Sequence, residues 1–294
     1  MNKILITGAA GFLGGYLFRL ALEKGYEVTG TYHTTPGHRE LVKCDFTGRD
    51  EVISLVNRIK PDVIVHAGAI SKVSDSIPYD HYHRSNTEAV RSLAEAASEN
   101  KARLIYISTD LVYDGTSGFM RDEAYKIAPA SSYAETKYKG EEETASVLSP
   151  GEYLILRASL MYGFGGVNFF ENSVNNLLAG KPVNLFTDQY RTPLYGKTAA
   201  EIILYLAERN ITGITMNMGG TERISRWEFM KRFAIKAGIS EGLLIPVPMS
   251  SVPVPQVADV SMDISALKET GAVVSDIDES FSHIISQLRI SGKL

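Results

Sequence analysis

The sequence is poor in cysteine, in long apolar runs and in net charge, and each shortage excludes a class of protein. The one cysteine, Cys44, excludes an internal disulfide and a cysteine-rich metal site. No apolar stretch is long enough to span a bilayer, and glycines after Ile6 interrupt any signal-like apolar core. The net charge of −4 gives no electrostatic reason to expect nucleic acid or an anionic membrane as a partner. We therefore expect a cytoplasmic protein.

What the chain does have is an alternation of short apolar runs with segments of helical spacing. This alternation predicts βαβ units and a parallel sheet. The strand candidates are Lys3–Thr7, Glu27–Tyr32, Asp62–Ala67, Arg103–Ser108 and Tyr153–Arg157. The helix candidates are Leu13–Lys24, Glu51–Ile59, Thr87–Asn100 and Tyr133–Val147. With 294 residues, 44% of them hydrophobic, the chain can bury a large core.

The texture of the sequence changes past Gly163, where glycine, asparagine and proline become frequent. We expect an α/β protein with a Rossmann-type doubly wound parallel sheet over residues 1–162, to which later segments return. Residues 163–294 are then mainly a smaller α/β substrate-binding lobe. A group of prolines predicts an extended loop within this lobe: Pro246, Pro248, Pro253 and Pro255.

A glycine-rich turn connects the first strand candidate to the first helix candidate. Gly8, Gly11 and Gly14 stand three apart. The first allows a tight turn, the second lets backbone approach a pyrophosphate, and the third lets the helix pack on the strand. A pyrophosphate there would meet the free N–H groups of the helix N-terminus. An ordinary glycine turn is the alternative, but the position between a strand and an amphipathic helix favours dinucleotide binding.

The end of the second strand indicates which dinucleotide is bound. An acidic residue there would bond the adenosine ribose, whereas its absence beside cations leaves room for a 2′-phosphate. The chain has His33 and Arg39 in this region and no acid before Glu40, which favours NADP(H) and leaves NAD(H) possible. Asp45 and Phe46 follow the next short strand and are placed to meet the adenine. As the alternative, Asp45 simply starts a turn.

A tyrosine and a lysine four residues apart, Tyr133 and Lys137, project from one face of a helix. A nearby ammonium favours the phenolate and is expected to lower the tyrosine pKa, so that Tyr133 exchanges a proton with a carbonyl or alcohol oxygen. The lysine can also hold the nicotinamide ribose. Thr109, at the carboxyl end of a buried strand, would place its hydroxyl on the substrate oxygen. Taken alone, such a pair is more often a packed ring and a solvated charge; the glycine loop and Ser108-Thr109-Asp110 favour the catalytic reading.

With these residues established, the chain resembles an extended short-chain dehydrogenase/reductase, and within that group the dTDP-4-dehydrorhamnose reductase family. The resemblance covers nearly the whole chain. Its motifs are Thr7-Gly8-x-x-Gly11-x-x-Gly14, His66-Ala67-Gly68-Ala69, Ser108-Thr109-Asp110-Leu111-Val112-Tyr113-Asp114-Gly115, Tyr133-x-x-x-Lys137-x-x-Gly140-Glu141, Leu156-Arg157-Ala158-Ser159-Leu160-Met161-Tyr162-Gly163 and Asp188-Gln189-Tyr190-Arg191-Thr192-Pro193.

The resemblance implies a site, which we combine with the residues already singled out. The catalytic set is Thr109, Tyr133 and Lys137. The cofactor set is Gly8, Gly11, Phe12, Leu13, Gly14, His33, Arg39, Asp45, Phe46, Ala67, Gly68, Ala69, Ser108, Tyr133 and Lys137. The substrate set is Thr109, Asp110, Leu160, Asn168, Gln189 and Arg191. Leu160 stands where the family often has a bulky aromatic residue that lines the sugar.

The implied reaction is hydride transfer from NADPH to the 4-keto carbon of a nucleotide-linked deoxysugar, a step of dTDP-rhamnose biosynthesis, with the proton from Tyr133. No metal is expected, and a homodimer would be common for this superfamily. One alternative is a sugar-nucleotide epimerase or dehydratase, which recycles its hydride. Dehydratases need an Asp-Glu pair beside the threonine, and Asp110-Leu111 does not supply it. The other alternative resembles the regulatory subunit of methionine adenosyltransferase, a binding partner rather than an enzyme.

Overall fold

A computed structural model describes residues 2–35, 40–74, 76–119, 125–252 and 257–294. Its strands, in chain order, are β1 (Lys3–Thr7), β2 (Glu27–Tyr32), β3 (Val42–Lys43), β4 (Val63–His66), β5 (Arg103–Thr109), β6 (Tyr153–Ala158), β7 (Met161–Tyr162), β8 (Val183–Phe186), β9 (Tyr190–Arg191), β10 (Leu194–Tyr195), β11 (Ile214–Met218), β12 (Ile224–Ser225) and β13 (Leu244–Val247). Seven of them form one parallel sheet in the order β11-β6-β5-β4-β1-β2-β3.

Helices cover both faces of this sheet. In chain order, the α-helices are α1 (Phe12–Glu23), α2 (Arg49–Ile59), α3 (Tyr79–His83), α4 (Ala89–Asn100), α5 (Ser132–Val147), α6 (Phe169–Leu178), α7 (Gly196–Glu208), α8 (Arg226–Ala237), α9 (Ser265–Glu269) and α10 (Ile277–Ile290), of which α1, α7 and α9 pack on one face of the sheet and α2 and α4 on the other. A π-helical turn, Arg84–Glu88, precedes α4. The expected doubly wound Rossmann-type sheet is confirmed.

Strand β1 is apolar at successive positions because helices cover both of its faces. Ile4 and Ile6 belong to the core cluster that includes residues of α1 and α7, whereas Leu5 belongs to the cluster that includes residues of α2 and α4. Alternate side chains of a strand point to opposite faces, so a strand covered on both faces must be apolar throughout. The same argument applies to the buried run of β5, where all residues from Leu104 to Thr109 are buried.

A second core lies in the part of the chain that follows β6. It is built from aromatic rings on α6, α8 and α10, with the Phe170–Phe233 and Phe233–Phe281 centroids 4.9 and 5.1 Å apart. Rings at these distances pack edge-to-face and bury large apolar areas. This aromatic core fixes the start of α8, whose first residue is Arg226, beside the sheet.

The expectation of an extended loop is wrong at Pro246. This residue lies in β13 and pairs in parallel register with Leu185 of β8. A two-stranded sheet has only edge strands, where proline's missing N–H removes no central ladder bond. Pro253 and Pro255 lie outside the described residues.

The sheet brings the sequence motifs to one edge. The glycine loop follows β1, Ala67-Gly68-Ala69 follows β4, Thr109 ends β5 and Leu160 follows β6. The strand order runs outward from β1 in both directions, through β2 on one side and β4 on the other. Open α/β sheets bind ligands in the crevice at such a switch point, outside the carboxyl ends of the strands. Among the described residues, none of the helices has the length and apolar character that crossing a membrane requires.

Candidate functional site

The glycine loop is a tight cradle with no room for side chains. Gly8 has φ +66°, and a Cβ there would lie 2.7 Å from the Cα of Gly68. The N–H of Gly11 donates to the carbonyl of Gly8 at 2.8 Å, and a Cβ on Gly14 would lie 2.1 Å from that same oxygen. Helix α1 then begins with Gly11 as its N-cap and no side-chain cap. Its first N–H groups are therefore available to an anion, which fits a dinucleotide pyrophosphate.

A cavity of about 620 Å³ opens beside this cradle along the carboxyl edge of the sheet. Most of the expected site residues line it: Gly8, Gly11, Phe12, Leu13, His33, Ala67, Gly68, Ala69, Ser108, Thr109, Asp110, Tyr133, Lys137, Leu160, Asn168 and Arg191. Gly14 and Gln189 are not among its lining residues, and Arg39 lies outside the described residues.

Asp45 and Phe46 line a smaller cavity of about 140 Å³ that shares His33, Gly8 and Gly68 with the large one. The Asp45 carboxylate lies 3.5 Å from Nε2 of His33 and accepts from the backbone N–H of Thr47 at 2.9 Å. The second of these bonds is the local turn that the alternative interpretation anticipated. Asp45 therefore closes a turn and also faces a cavity next to the cradle.

Helix α5 holds the tyrosine and the lysine. The hydroxyl of Ser131 caps the helix by accepting from the N–H of Ala134 at 3.2 Å, which fixes Tyr133 in the first turn. Thr109, at the end of β5, lines the cavity together with Tyr133, and its hydroxyl donates to Asp110 Oδ1 at 3.2 Å. One turn further on, the Nζ of Lys137 donates to the carbonyl of Ile107 at 2.6 Å. A strand end and a helix thus bring these three functional groups to one wall of the cavity.

Burial dominates the protonation of this trio. It raises the pKa of Tyr133 to about 12, and the neighbouring Thr109 hydroxyl opposes the shift. It also lowers the pKa of Lys137 to about 7, with the carboxylate of Glu141 opposing the shift. The expected lowering of the Tyr133 pKa is therefore wrong for the unliganded structure. The reason is physical: desolvation disfavours the charged form of both groups, so the ammonium that would stabilise a phenolate is itself driven towards neutrality.

A buried polar network lies behind the trio, and sequence reasoning missed it. Ser108 Oγ donates to Glu141 Oε1 at 2.5 Å, and Arg157 binds both oxygens of Glu141, its Nη2 at 2.7 Å. Arg157 Nη1 also donates to the Tyr113 hydroxyl at 3.1 Å. Ser108 lines the cavity, but its hydroxyl is hydrogen-bonded to Glu141 and is therefore not directed at a ligand. The sequence feature that could have indicated this network is Arg157, a cation near the end of the apolar strand β6.

Charged side chains line the same cavity next to the trio. Asp110 Oδ2 lies 3.6 Å from the Nε of Arg191 and accepts from the Ser159 hydroxyl at 3.4 Å. Burial raises the pKa of Asp110, and Arg191 opposes this. Arg226 also lines the cavity, although nothing in the sequence pointed to it.

Two further residues that were expected to bind substrate make structural contacts. The Oδ1 of Asn168 accepts from the N–H of Glu171 at 2.9 Å and so caps α6, while its Nδ2 donates to the carbonyls of Gly163 and Gly166 at 3.1 and 3.0 Å. Gln189 donates through Nε2 to the carbonyl of Val257 at 3.3 Å. Within the described ranges, no group of three or more His, Cys, Asp or Glu side chains is arranged to hold a metal.

A glycine cradle beside a Thr-Tyr-Lys trio, at the switch point of a doubly wound sheet, defines an extended short-chain dehydrogenase/reductase. The family model described as "RmlD substrate binding domain" matches residues 1–290. The dTDP-4-dehydrorhamnose reductase of Aggregatibacter actinomycetemcomitans is 31% identical over 221 residues, 74% of this chain and 72% of the relative. The chain belongs to this family, which confirms the resemblance.

Two other comparisons extend over almost the whole chain. The structure of a dTDP-4-dehydrorhamnose reductase from Clostridium acetobutylicum superposes with a TM-score of 0.86 at 26% identity and covers 98% of this chain and 99% of that one. Methionine adenosyltransferase 2 subunit beta of Xenopus laevis is 29% identical over 287 residues, 92% of this chain and 83% of the relative. The first carries the name of an enzyme, the second that of a subunit of one.

Proposed function

We propose that this chain is an NAD(P)H-dependent reductase of a nucleotide-linked 4-keto-6-deoxysugar, like the relatives named dTDP-4-dehydrorhamnose reductase. One observation carries the proposal. Thr109, Tyr133 and Lys137 meet on one wall of a cavity whose other end is the glycine cradle. A nicotinamide whose pyrophosphate lies on α1 would then have Tyr133 beside it as a proton donor.

The chain's own residues supply everything except the hydride, which comes from the dihydronicotinamide when it is bound. Thr109 and Tyr133 hold the keto oxygen by hydrogen bonds, and Tyr133 gives its proton to that oxygen as the hydride reaches the carbon. The high pKa of Tyr133 keeps the proton on the phenol until an alkoxide develops. The phenolate that remains favours the ammonium form of Lys137, which neutralises the new charge.

For the cofactor we propose NADP(H), with NAD(H) possible. The loop after β2 offers His33 to the cavity and carries no acidic side chain before Glu40. A 2′-phosphate would therefore meet no carboxylate from this loop. Asp45 and Phe46 are proposed to contact the adenine from the smaller cavity.

Two alternatives have less support. A dehydratase needs an Asp-Glu pair after the threonine, and here Leu111 follows Asp110. A regulatory subunit is compatible with the long alignment to methionine adenosyltransferase 2 subunit beta and with the Arg191-Thr192-Pro193 stretch. A regulatory role would not require Thr109, Tyr133 and Lys137 all to be present beside the glycine loop, so we favour the enzyme.

The division of labour along the chain is part of the same proposal. Residues 1–162 would mainly bind the cofactor and residues 163–294 would mainly cover the substrate, with β11 returning to the large sheet. A nucleotide sugar is the proposed substrate. The cytoplasmic location and the homodimer stay predictions.

The decisive experiment is to measure NADPH oxidation, with NADH in parallel, by the purified protein supplied with a dTDP-4-keto-6-deoxyhexose. Tyr133→Phe removes only the acidic hydroxyl, so we expect it to keep cofactor binding and lose about 10²- to 10⁴-fold in rate. The matched control is Tyr138→Phe on the same helix, which packs in another cluster and does not line the cavity. A Tyr133→Phe enzyme with the rate of the control would refute the assignment, and cofactor binding without any oxidation would favour the regulatory subunit.

A further inference from the structure

Two guanidinium groups and one carboxylate line the part of the cavity that we call the substrate wall. Arg191 comes from β9, Arg226 is the first residue of α8, and Asp110 follows β5. Arg191 is paired with Asp110 at 3.6 Å, and both side chains are only 6% exposed. This pairing accounts for one positive charge and leaves the other without a counter-ion.

Arg226 is the uncompensated cation. Its side chain makes no ion pair and no hydrogen bond with any described residue, and its Nε is shielded from solvent without a partner. The guanidinium lies 4.5 Å from the centroid of the Phe169 ring, which also lines the cavity. Burial lowers the pKa of Arg226 to about 10, with Arg191 adding to the shift and Asp110 opposing it, so the group is still a cation at neutral pH. The residue as a whole is half-buried, so the cost of shielding falls on its Nε, which has no partner among the described residues.

Asp110, already paired with Arg191, is the acid whose charge acts on Arg226, and two other acids of this region are engaged elsewhere. Asp259 binds Arg223 at 2.8 Å and the Ser261 hydroxyl at 2.7 Å. Glu228, on α8 itself, accepts from the Ser225 hydroxyl at 3.0 Å as half of the capping box that begins this helix. The substrate wall therefore keeps a net positive charge.

We propose that Arg226, together with Arg191, binds an oxyanion of the substrate and is a specificity-determining residue. The oxyanion is either a phosphate of the nucleotide or a carboxylate on the sugar; both present the paired acceptor oxygens that a guanidinium fork fits. This inference rests on the proposed function in one respect, that the cavity accepts a nucleotide-linked sugar.

The two arginines differ in how many of their N–H groups are already bonded within the protein. The Nη1 of Arg191 donates to the carbonyls of Tyr190 at 2.7 Å and of Val257 at 3.3 Å, and its Nε faces Asp110. Its position is therefore fixed before a ligand arrives. Arg226 is held only through the Phe169 ring and so keeps its donors for the ligand. Stacking on a ring leaves the edge of a guanidinium, where the N–H groups are, free to bind.

The test is calorimetric binding of four probes: thymidine, dTDP, dTDP-glucose and dTDP-glucuronate. Each is measured with the wild type, with Arg226→Met and with the control Lys231→Met. Methionine keeps an apolar chain against Phe169 and removes the charge. Lys231 lies on the same helix but pairs with Glu241, away from the cavity. None of these measurements depends on turnover, so they stand even if the enzyme assay fails.

If the phosphate is the partner, Arg226→Met raises the Kd of dTDP and of both sugar nucleotides about 10-fold or more and leaves that of thymidine unchanged. If a sugar carboxylate is the partner, only dTDP-glucuronate loses affinity by that factor. In either case Lys231→Met binds like the wild type. Equal losses for all four probes, no loss for any, or a wild type that binds none of them would overturn the proposal.

Discussion

Gly14 and Gly15 stand side by side in α1, and replacing each by alanine should have opposite effects. A Cβ on Gly14 would lie 2.1 Å from the carbonyl oxygen of Gly8 and within 3 Å of two further backbone atoms of the loop. A Cβ on Gly15 would lie 3.5 Å from the nearest atom, the Nη1 of Arg19, which is ordinary contact. The two substitutions share their chemistry and their helix and differ in whether the glycine cradle must move.

The magnitudes follow from this difference. In a helix interior, alanine is favoured over glycine by up to about 1 kcal/mol, so Gly15→Ala should stabilise the protein by about that amount. Gly14→Ala receives the same benefit but forces backbone apart, and overpacking of this kind costs about 1–3 kcal/mol or more. We expect a net loss of about 2 kcal/mol, and therefore a separation between the two variants of about 3 kcal/mol.

Urea unfolding followed by circular dichroism measures the difference in free energy of unfolding between the two variants. Titration of the folded variants with NADPH measures the difference in their affinity for the cofactor. Gly14→Ala should bind NADPH at least about 10-fold more weakly, because displacement of the Gly8 carbonyl deforms the pyrophosphate cradle, a loss of about 1.4 kcal/mol. Gly15→Ala should bind it like the wild type. Equal stability of the two variants would refute the packing argument. Equal affinity for NADPH would show that the glycine loop does not bind the cofactor.

Two more predictions concern buried charge. The folded-state pKa of Lys137, about 7, lies below its unfolded value of 10.5, so the unfolded chain binds more protons in that window and stability should rise with pH across it. Urea unfolding at pH 7 and 9 should show a wild-type gain of up to about 2–3 kcal/mol that Lys137→Met lacks; equal pH dependence would contradict the shift. Glu141→Gln leaves the buried Arg157 uncompensated and should cost about 3–5 kcal/mol in the same assay at pH 7, whereas the exposed neighbour Glu142→Gln should cost under 1 kcal/mol. A small Glu141→Gln effect would mean that water compensates Arg157.

Local signals predicted five of the seven strands of the sheet; β3 and β11 were not among the candidates. Strand β5 is apolar at successive positions from Leu104 to Ile107, and only a strand covered on both faces needs that pattern. The proximity of Thr109 to Tyr133 could also be predicted, because a strand end and the helix that follows it meet at the carboxyl edge of a parallel sheet. The π-helical turn Arg84–Glu88 could not, since the helix was expected to run unbroken from Thr87.

What the sequence could not provide depends on tertiary burial. Tyr133 and Lys137 were correctly expected to be neighbours, but the direction of the tyrosine pKa shift depends on how much water the fold removes, and this is not encoded in their spacing. Arg226 is far from the trio in the chain and reaches the cavity only because the aromatic core around Phe170 fixes α8. No local pattern distinguishes it from a solvated arginine at the start of a helix.

Strand β11 limits how substrate selectivity can be transplanted between relatives. It pairs with β6 from Ile214↔Leu154 to Met218↔Ala158, so the sheet is complete only after the chain has left it and returned. A fragment ending at residue 162 would leave the backbone groups of β6 as an open edge, the kind of surface on which chains aggregate. A hybrid that exchanges everything after β6 would pair that strand with a foreign neighbour. A graft that respects the fold keeps residues 196–218, which contain α7 and β11, with the parent sheet and exchanges the segments on either side.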